Sequence, residues 1–298
     1  MTHVDRLRRS PASFRALTGI GPAEFDALLA RVVPLEAQAR ARRASSRPGR
    51  RRKPGAGRKF KTPLGDRLLM LLIYYRTYVT HAFLGFLFGV DDSTVGRDVN
   101  PLQPLLAGVF RVPERRVDLR PDEVRELFFD CTEQPTNRPG PGNGQRDYYS
   151  GKRKRHTVKH QVVVVRKRQP PGPAPGGRPK RRRVRVAAVS PAHGGRTHDK
   201  RVYELTRAVC RPPDVPRAGD LGYRGTPPRT PHKRPPKGTL TRRQRRGNRR
   251  LSRRRVAAEH GIGKMKVWRV VADRYRNVRR RHTLVMKNVA GLHNLMYA

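Results

Sequence analysis

The chain has 298 residues, with 69 Lys and Arg against 22 Asp and Glu, a formal charge of +47. Its 35% hydrophobic residues and 27 glycines suffice for a core, and so much positive charge calls for a polyanion, nucleic acid first, because each neutralised phosphate releases counterions. The longest clean apolar run, residues 68–75, falls short of the about 20 needed to span a bilayer, and Cys131 and Cys210 are too few for a disulfide framework, so no membrane partner and a soluble chain of a reducing, cytoplasmic compartment are expected.

Residues 1–39 carry one expected helix, in which Pro22 suits the first turn and Phe25, Leu28, Leu29 and Val32 recur at helical spacing. Residues 40–61 hold eleven Lys or Arg, two prolines, three glycines and no acid, and are expected to be an extended basic linker. Residues 62–112 turn helical. DRLLMLLIYYRTY (66–78) and HAFLGFLFGV (81–90) are apolar helices, and DDSTVGRDV (91–99) is a polar helix capped by Asp92 or Ser93. This is the pattern of a helix-turn-helix, whose third helix would offer Thr94, Arg97 and Asn100 to the bases of a major groove; a plain three-helix bundle reads similarly.

Residues 122–298 change period. EVRELFFD (123–130), KHQVVVVR (159–166) and RVRVAAVS (183–190) are expected strands, 198–209 a helix, 216–223 a short strand, and 239–275 mainly helix, which together make an α/β domain. Residues 166–183, rich in Pro, Gly and charge, are an expected surface loop.

In so basic a chain the acids need a reason. Asp130 closes an apolar strand and Asp220 lies in AGDLGY; carboxylates are seldom buried unless paired or bound to a cation, and a salt bridge to an arginine is the plain alternative. Arg255, Glu259 and Lys266, four and seven residues apart, share one helical face. Glu133 falls on the opposite strand face from Asp130, Asp199 is expected to cap a helix, and His156 with His160, about 13 Å apart on a strand, make a poor zinc pair. Trp268 and Tyr275 are expected in the core.

The blocks LLMLLIYYRTYVTHAFLGFLFGVDDSTV, FFDCTEQP, QRDYYSGKRKRHTVKHQ, SPAHGGRTHDK, DLGYRG, PHKRP and RYRNVRRRHTLVMKNVAGLHNL, in this order, resemble bacterial insertion-sequence transposases of the DDE superfamily, insertion-sequence-5 type. The resemblance implies an all-α helix-turn-helix domain followed by a ribonuclease-H-like catalytic domain, a mixed sheet with flanking helices. It implies Asp130 and Asp220 as the first two catalytic acids and Glu259 as the third, together holding two Mg²⁺ or Mn²⁺ ions. Of the family signature Tyr-x2-Arg-x3-Glu-x6-Lys, Arg255, Glu259 and Lys266 fit, while Ser252 stands at the Tyr position. Arg255 and Lys266 would position phosphates, and Arg153, Lys154 and Arg155 would widen the basic track. The implied reaction is cleavage at the ends of the element, then attack of the freed 3′-hydroxyl on target DNA. The implied partner is double-stranded DNA, bound by a homo-oligomer. The alternative is a catalytically inactive or domesticated DNA-binding protein using its helix-turn-helix and basic surface.

Overall fold

The computed structural model describes residues 2–45, 60–120, 124–142, 144–167, 184–207, 209–211 and 213–297. Residues 1–111 together with 267–270 form one unit, and residues 112–266 together with 271–298 form another.

The first unit is helical: α1 (His3–Arg8), α2 (Pro11–Thr18), α3 (Pro22–Ser45), α4 (Leu64–Thr77), α5 (His81–Phe88), α6 (Asp92–Val99) and α7 (Leu102–Phe110). Three helices stand where residues 1–39 predict one, and α3 continues through Arg40 to Ser45, into the expected linker. Alanine and arginine are good helix formers, and Arg40 pairs with Glu36 one turn back, so the basic run stays helical at its start. Residues 46–59, the rest of that linker, lie outside the described residues. The cap of α6 is Asp91 rather than Asp92 or Ser93: its Oδ1 accepts the Ser93 N–H at 2.9 Å.

Phe14, Phe25, Leu28, Leu68, Leu72, Leu84, Val95 and Leu106 are buried in this unit. Arg67 is buried with them, its guanidinium 3.6 Å from the centre of the Phe60 ring and 3.3 Å from Glu36. Trp268 is 1% exposed and donates its indole N–H to the Thr18 carbonyl at 3.4 Å. Gly19, at φ +83°, makes room: a Cβ there would lie 2.7 Å from the indole nitrogen.

The second unit holds strands β1 (Arg116–Asp118), β2 (Val124–Pro135), β3 (Tyr149–Ser150), β4 (Arg155–Lys167), β5 (Val184–Val189), β6 (His193–Gly194), β7 (Val209–Arg211) and β8 (Arg217–Ala218). Its helices are α8 (Gln145–Tyr148), α9 (Asp199–Thr206), α10 (Arg242–Met265) and α11 (His282–Tyr297). β4 runs antiparallel to both β2 and β5, and β8 lies parallel to β2, which makes a mixed sheet.

Side chains alternate along β2. Leu127 and Phe129 join a core with Val163, Val165 and Tyr223 on one face. Glu126, Phe128 and Asp130 occupy the other, and α10 covers it: Arg254 Nε donates to Glu126 Oε2 at 2.9 Å. Gly261 lets α10 approach the sheet, since a Cβ there would sit 3.2 Å from Val184.

Several bounds differ from expectation. β2 runs on to Pro135 because β4 pairs with it that far. The strand expected at 216–223 shrinks to Arg217–Ala218, followed by a 3₁₀ turn, Leu221–Tyr223. The helix expected over 239–275 starts at a Thr241–Gln244 capping box and stops at Met265, where the chain leaves to bury Trp268 and Val270; α11 closes the unit. Residues 168–183, most of the expected loop, lie outside the described residues.

Candidate active site

Strand register brings the first two acids together. Ala218 of β8 pairs with Phe128 of β2 in parallel, so Asp220 and Asp130, each two residues further on, emerge side by side. Each is tied to the backbone through Oδ1: the Cys131 N–H donates to Asp130 and the Gly222 N–H to Asp220, both at 2.9 Å. Among the described residues neither Oδ2 takes part in a hydrogen bond. Burial, and then the charge of Asp220, push the Asp130 carboxyl up to about 6, while Arg255 pulls it the other way.

Cations surround the pair. Arg255 faces it from α10. Lys266, at the end of α10, is held below the ordinary lysine range by desolvation and by Arg153, with Asp130 acting in the opposite sense. Arg153 sits in the tight turn between β3 and β4, where its N–H donates to Ser150 Oγ at 3.2 Å. Lys154 follows in that turn at φ +52°, and Arg155 opens β4; both are exposed. Asp130, Asp220, Arg255, Lys266 and Arg153 thus share one electrostatic neighbourhood.

Glu259 does not join them. It is exposed on α10, one turn beyond Arg255, and among the described residues no group of three His, Cys, Asp or Glu side chains is close enough to hold a metal ion. Helical spacing correctly placed Glu259 on the face of Arg255 but said nothing of its distance from the strands. Two adjoining carboxylates attract a guanidinium and repel a third anion, which favours Arg255 beside them.

Asp199 was expected as a helix cap. The cap is instead His198, whose Nδ1 accepts the Lys200 N–H at 3.3 Å. Asp199 accepts from the buried Lys159 Nζ at 2.9 Å, and that ammonium also reaches Glu133 at 3.2 Å. Gly222 separates Asp199 from Asp220: a Cβ on it would meet Asp199 Oδ2 at 2.8 Å and Asp220 Oδ1 at 3.0 Å. The signal for this network was a lysine inside an apolar strand, which must find a buried partner. His160 is buried against His282 at 2.7 Å, apart from His156, which lines a surface depression with Tyr149.

In the first unit, Thr94 and Arg97 line a depression of about 370 Å³ with Asp91 and Asp98. Arg97 donates to Ser93 Oγ at 2.6 Å. Asn100 sits apart at the end of α6, where its Oδ1 accepts from Gln103 at 3.3 Å, so two of the three expected base readers share a surface.

Known proteins resemble the chain along most of its length. Residues 61–111 match the family described as helix-turn-helix of DDE superfamily endonuclease, and residues 181–294 match that described as DDE superfamily endonuclease. The probable transposase for insertion sequence element IS702 of Microchaete diplosiphon is 30% identical over 82% of this chain and 84% of its own. The putative transposase for insertion sequence element IS112 of Streptomyces albus G is 28% identical over 80% of this chain and 82% of its own. No solved structure matches. A helix-turn-helix ahead of a mixed α/β domain, and likeness to these relatives over four-fifths of the sequence, lead to one conclusion: the chain belongs to the insertion-sequence transposases of the DDE superfamily.

Proposed function

We propose that the chain cuts DNA strands at the ends of its element in a divalent-metal-dependent reaction and transfers the freed 3′-hydroxyl to target DNA. The observation that carries this reading is the Asp130–Asp220 pair, two carboxylates held side by side against a wall of cations. A mixed sheet with the first acid on a central strand, the second just beyond the parallel strand beside it and a helix across them is consistent with a ribonuclease-H-like domain over 122–298. The helix-turn-helix over 62–112 would dock the element ends through Thr94 and Arg97. A homo-oligomer on paired ends and nucleoid association belong to the same reading.

The residues present fit a divalent ion in part. Among the described residues Oδ2 of Asp130 and of Asp220 takes part in no hydrogen bond, and the Asp220 charge, which adds to burial in raising the Asp130 carboxyl, would be offset by a cation held by both. Glu259, one turn from Arg255, is proposed as the third acid of the set. These acids would hold Mg²⁺ or Mn²⁺, which would supply charge stabilisation to displacement at phosphorus. The chain's own cations do the rest. Arg255 and Lys266 draw the phosphate on either side of the cut, and Arg153, Lys154 and Arg155 hold the strand leading to it. No covalent bond between protein and DNA is needed, so Ser252 in place of the family's tyrosine leaves the acids their role.

The test is cutting of a duplex carrying the element's terminal repeats, in Mg²⁺ or Mn²⁺ and in EDTA. Asp130→Asn, Asp220→Asn and Glu259→Gln are each expected to slow cutting by on the order of 10²-fold or more. Undiminished cutting by Glu259→Gln would remove it from the set. Among the described residues no acid trio is gathered, and a second reading is DNA binding without catalysis. Binding without cutting by the wild-type chain, in either metal, would establish it.

A further inference from the structure

A groove of about 1080 Å³ in the second unit is lined, among the described residues, by arginines. Arg125 and Arg166 come from β2 and β4, and seven more form a stripe along α10 from Arg242 to Arg254, in two adjacent rows of four-residue spacing. Among the described residues the acid against it is Glu126, buried and taken up by Arg254 at the floor. The other six stripe arginines are exposed. We propose that this groove is a docking track for the phosphate backbone of duplex DNA, holding the duplex beyond the point where it is cut. The inference rests on the proposed function in taking DNA as the substrate, and deepens it by naming where the flanking duplex lies.

Charge density favours a duplex. Residues 242–254 of a helix span about 18 Å. B-form DNA carries one charge per about 1.7 Å of axis, so the same length of duplex presents about ten or eleven phosphate charges. Among the described residues, the six exposed guanidiniums of the stripe stand against them. Arginine forks match phosphate oxygens in pairs, which an ammonium cannot do. Among the described residues the lining holds no aromatic ring on which an unpaired base could stack, so those residues offer a single strand little.

Position favours DNA as well. Glu126, at the floor, and Asp130 lie on the same face of β2, four residues or about 13 Å apart. The neighbouring residues Arg254 and Arg255 serve the two places, Arg254 bonding Glu126 and Arg255 acting on Asp130. Glu126, which Arg254 of the groove bonds, thus lies about 13 Å along β2 from Asp130.

The test uses the full chain and a labelled 24-base-pair duplex of arbitrary sequence, with the dissociation constant measured across NaCl concentrations. The triple variant Arg245→Gln, Arg249→Gln, Arg253→Gln is expected to make the log–log salt slope shallower by about 2 to 3, at about 0.9 per lost phosphate contact. The corresponding triple change to lysine retains most of the slope. If the first glutamine set fails to fold, Arg242→Gln, Arg246→Gln, Arg250→Gln on the same stripe replaces it.

An unchanged slope in the glutamine variant overturns the proposal. So does an equal loss for single-stranded DNA of the same length, or competition by polyglutamate as strong, charge for charge, as by duplex. Wild-type cutting of element ends with an unchanged slope in the variant refutes the groove and leaves the catalytic reading standing. A shallower slope in a chain that cuts nothing supports the groove and refutes catalysis.

Discussion

At Asp130 and His293, burial acts on two titrating groups in opposite directions. An acid pushed up to about 6 keeps its proton in the folded state, so Asp130 contributes stability that is lost as pH rises from about 4 through 6. His293, buried on α11 with its Nε2 3.1 Å from the Val184 carbonyl, is pushed down to about 4 by desolvation. The unfolded chain takes up that proton near 6.5 and the folded chain does not, so His293 stabilises above about 6.5 and its contribution is lost as pH falls through 4, by about 3 kcal/mol. Chemical denaturation of wild type and His293→Gln separates the two groups: the difference between them is expected to shrink by that amount from pH 7 to pH 4. A difference independent of pH would show that His293 titrates like an exposed imidazole. Among the candidate site residues, Asp130 and Asp220 were legible because an ionised group ending an apolar strand is costly without a reason. The Lys159–Asp199 pair was not, since its partners lie 40 residues apart and meet only through the fold.

Helix α10 carries the sharpest conflict among the elements. Arginines four residues apart repel, each such pair costing about 0.2–0.5 kcal/mol. Against this stand the Thr241–Gln244 capping box, the Arg254–Glu126 pair and a buried stripe of Leu251, Ala258, Ile262 and Met265. Screening should relieve the repulsion, so raising NaCl from about 0.05 to 0.5 M is expected to raise the melting midpoint followed by circular dichroism. The rise should be smaller in the Arg245→Gln, Arg249→Gln, Arg253→Gln variant; equal rises would locate the repulsion elsewhere in the chain. Elements with a strong period were readable in the sequence: α4, α5, β4 and β5 fall close to their expected places. α3 outran its reading because charge and composition were weighed above the helix propensity of Ala and Arg. β8, two residues long, is too short to leave a period at all, yet its register sets Asp220 beside Asp130.

For the molecule as a whole, chain order and unit order differ. The first unit is completed by residues 267–270, and Trp268 among them is one of its largest buried side chains. Trp268→Ala is expected to destabilise that unit by about 3–5 kcal/mol, seen as faster amide hydrogen exchange along α4. Exchange that stays at the wild-type rate would mean that the pocket over Gly19 collapses without cost. The same arrangement constrains synthesis. Residues 1–111 leave the ribosome long before Trp268 does, by about 10–30 s at 5–20 residues per second. During that interval the nascent head lacks its keystone, and it can close only after Asp130, Asp220 and Glu259 have all been polymerised. A polypeptide released early would therefore carry an unfinished first unit, open to proteolysis where the indole of Trp268 would have closed it.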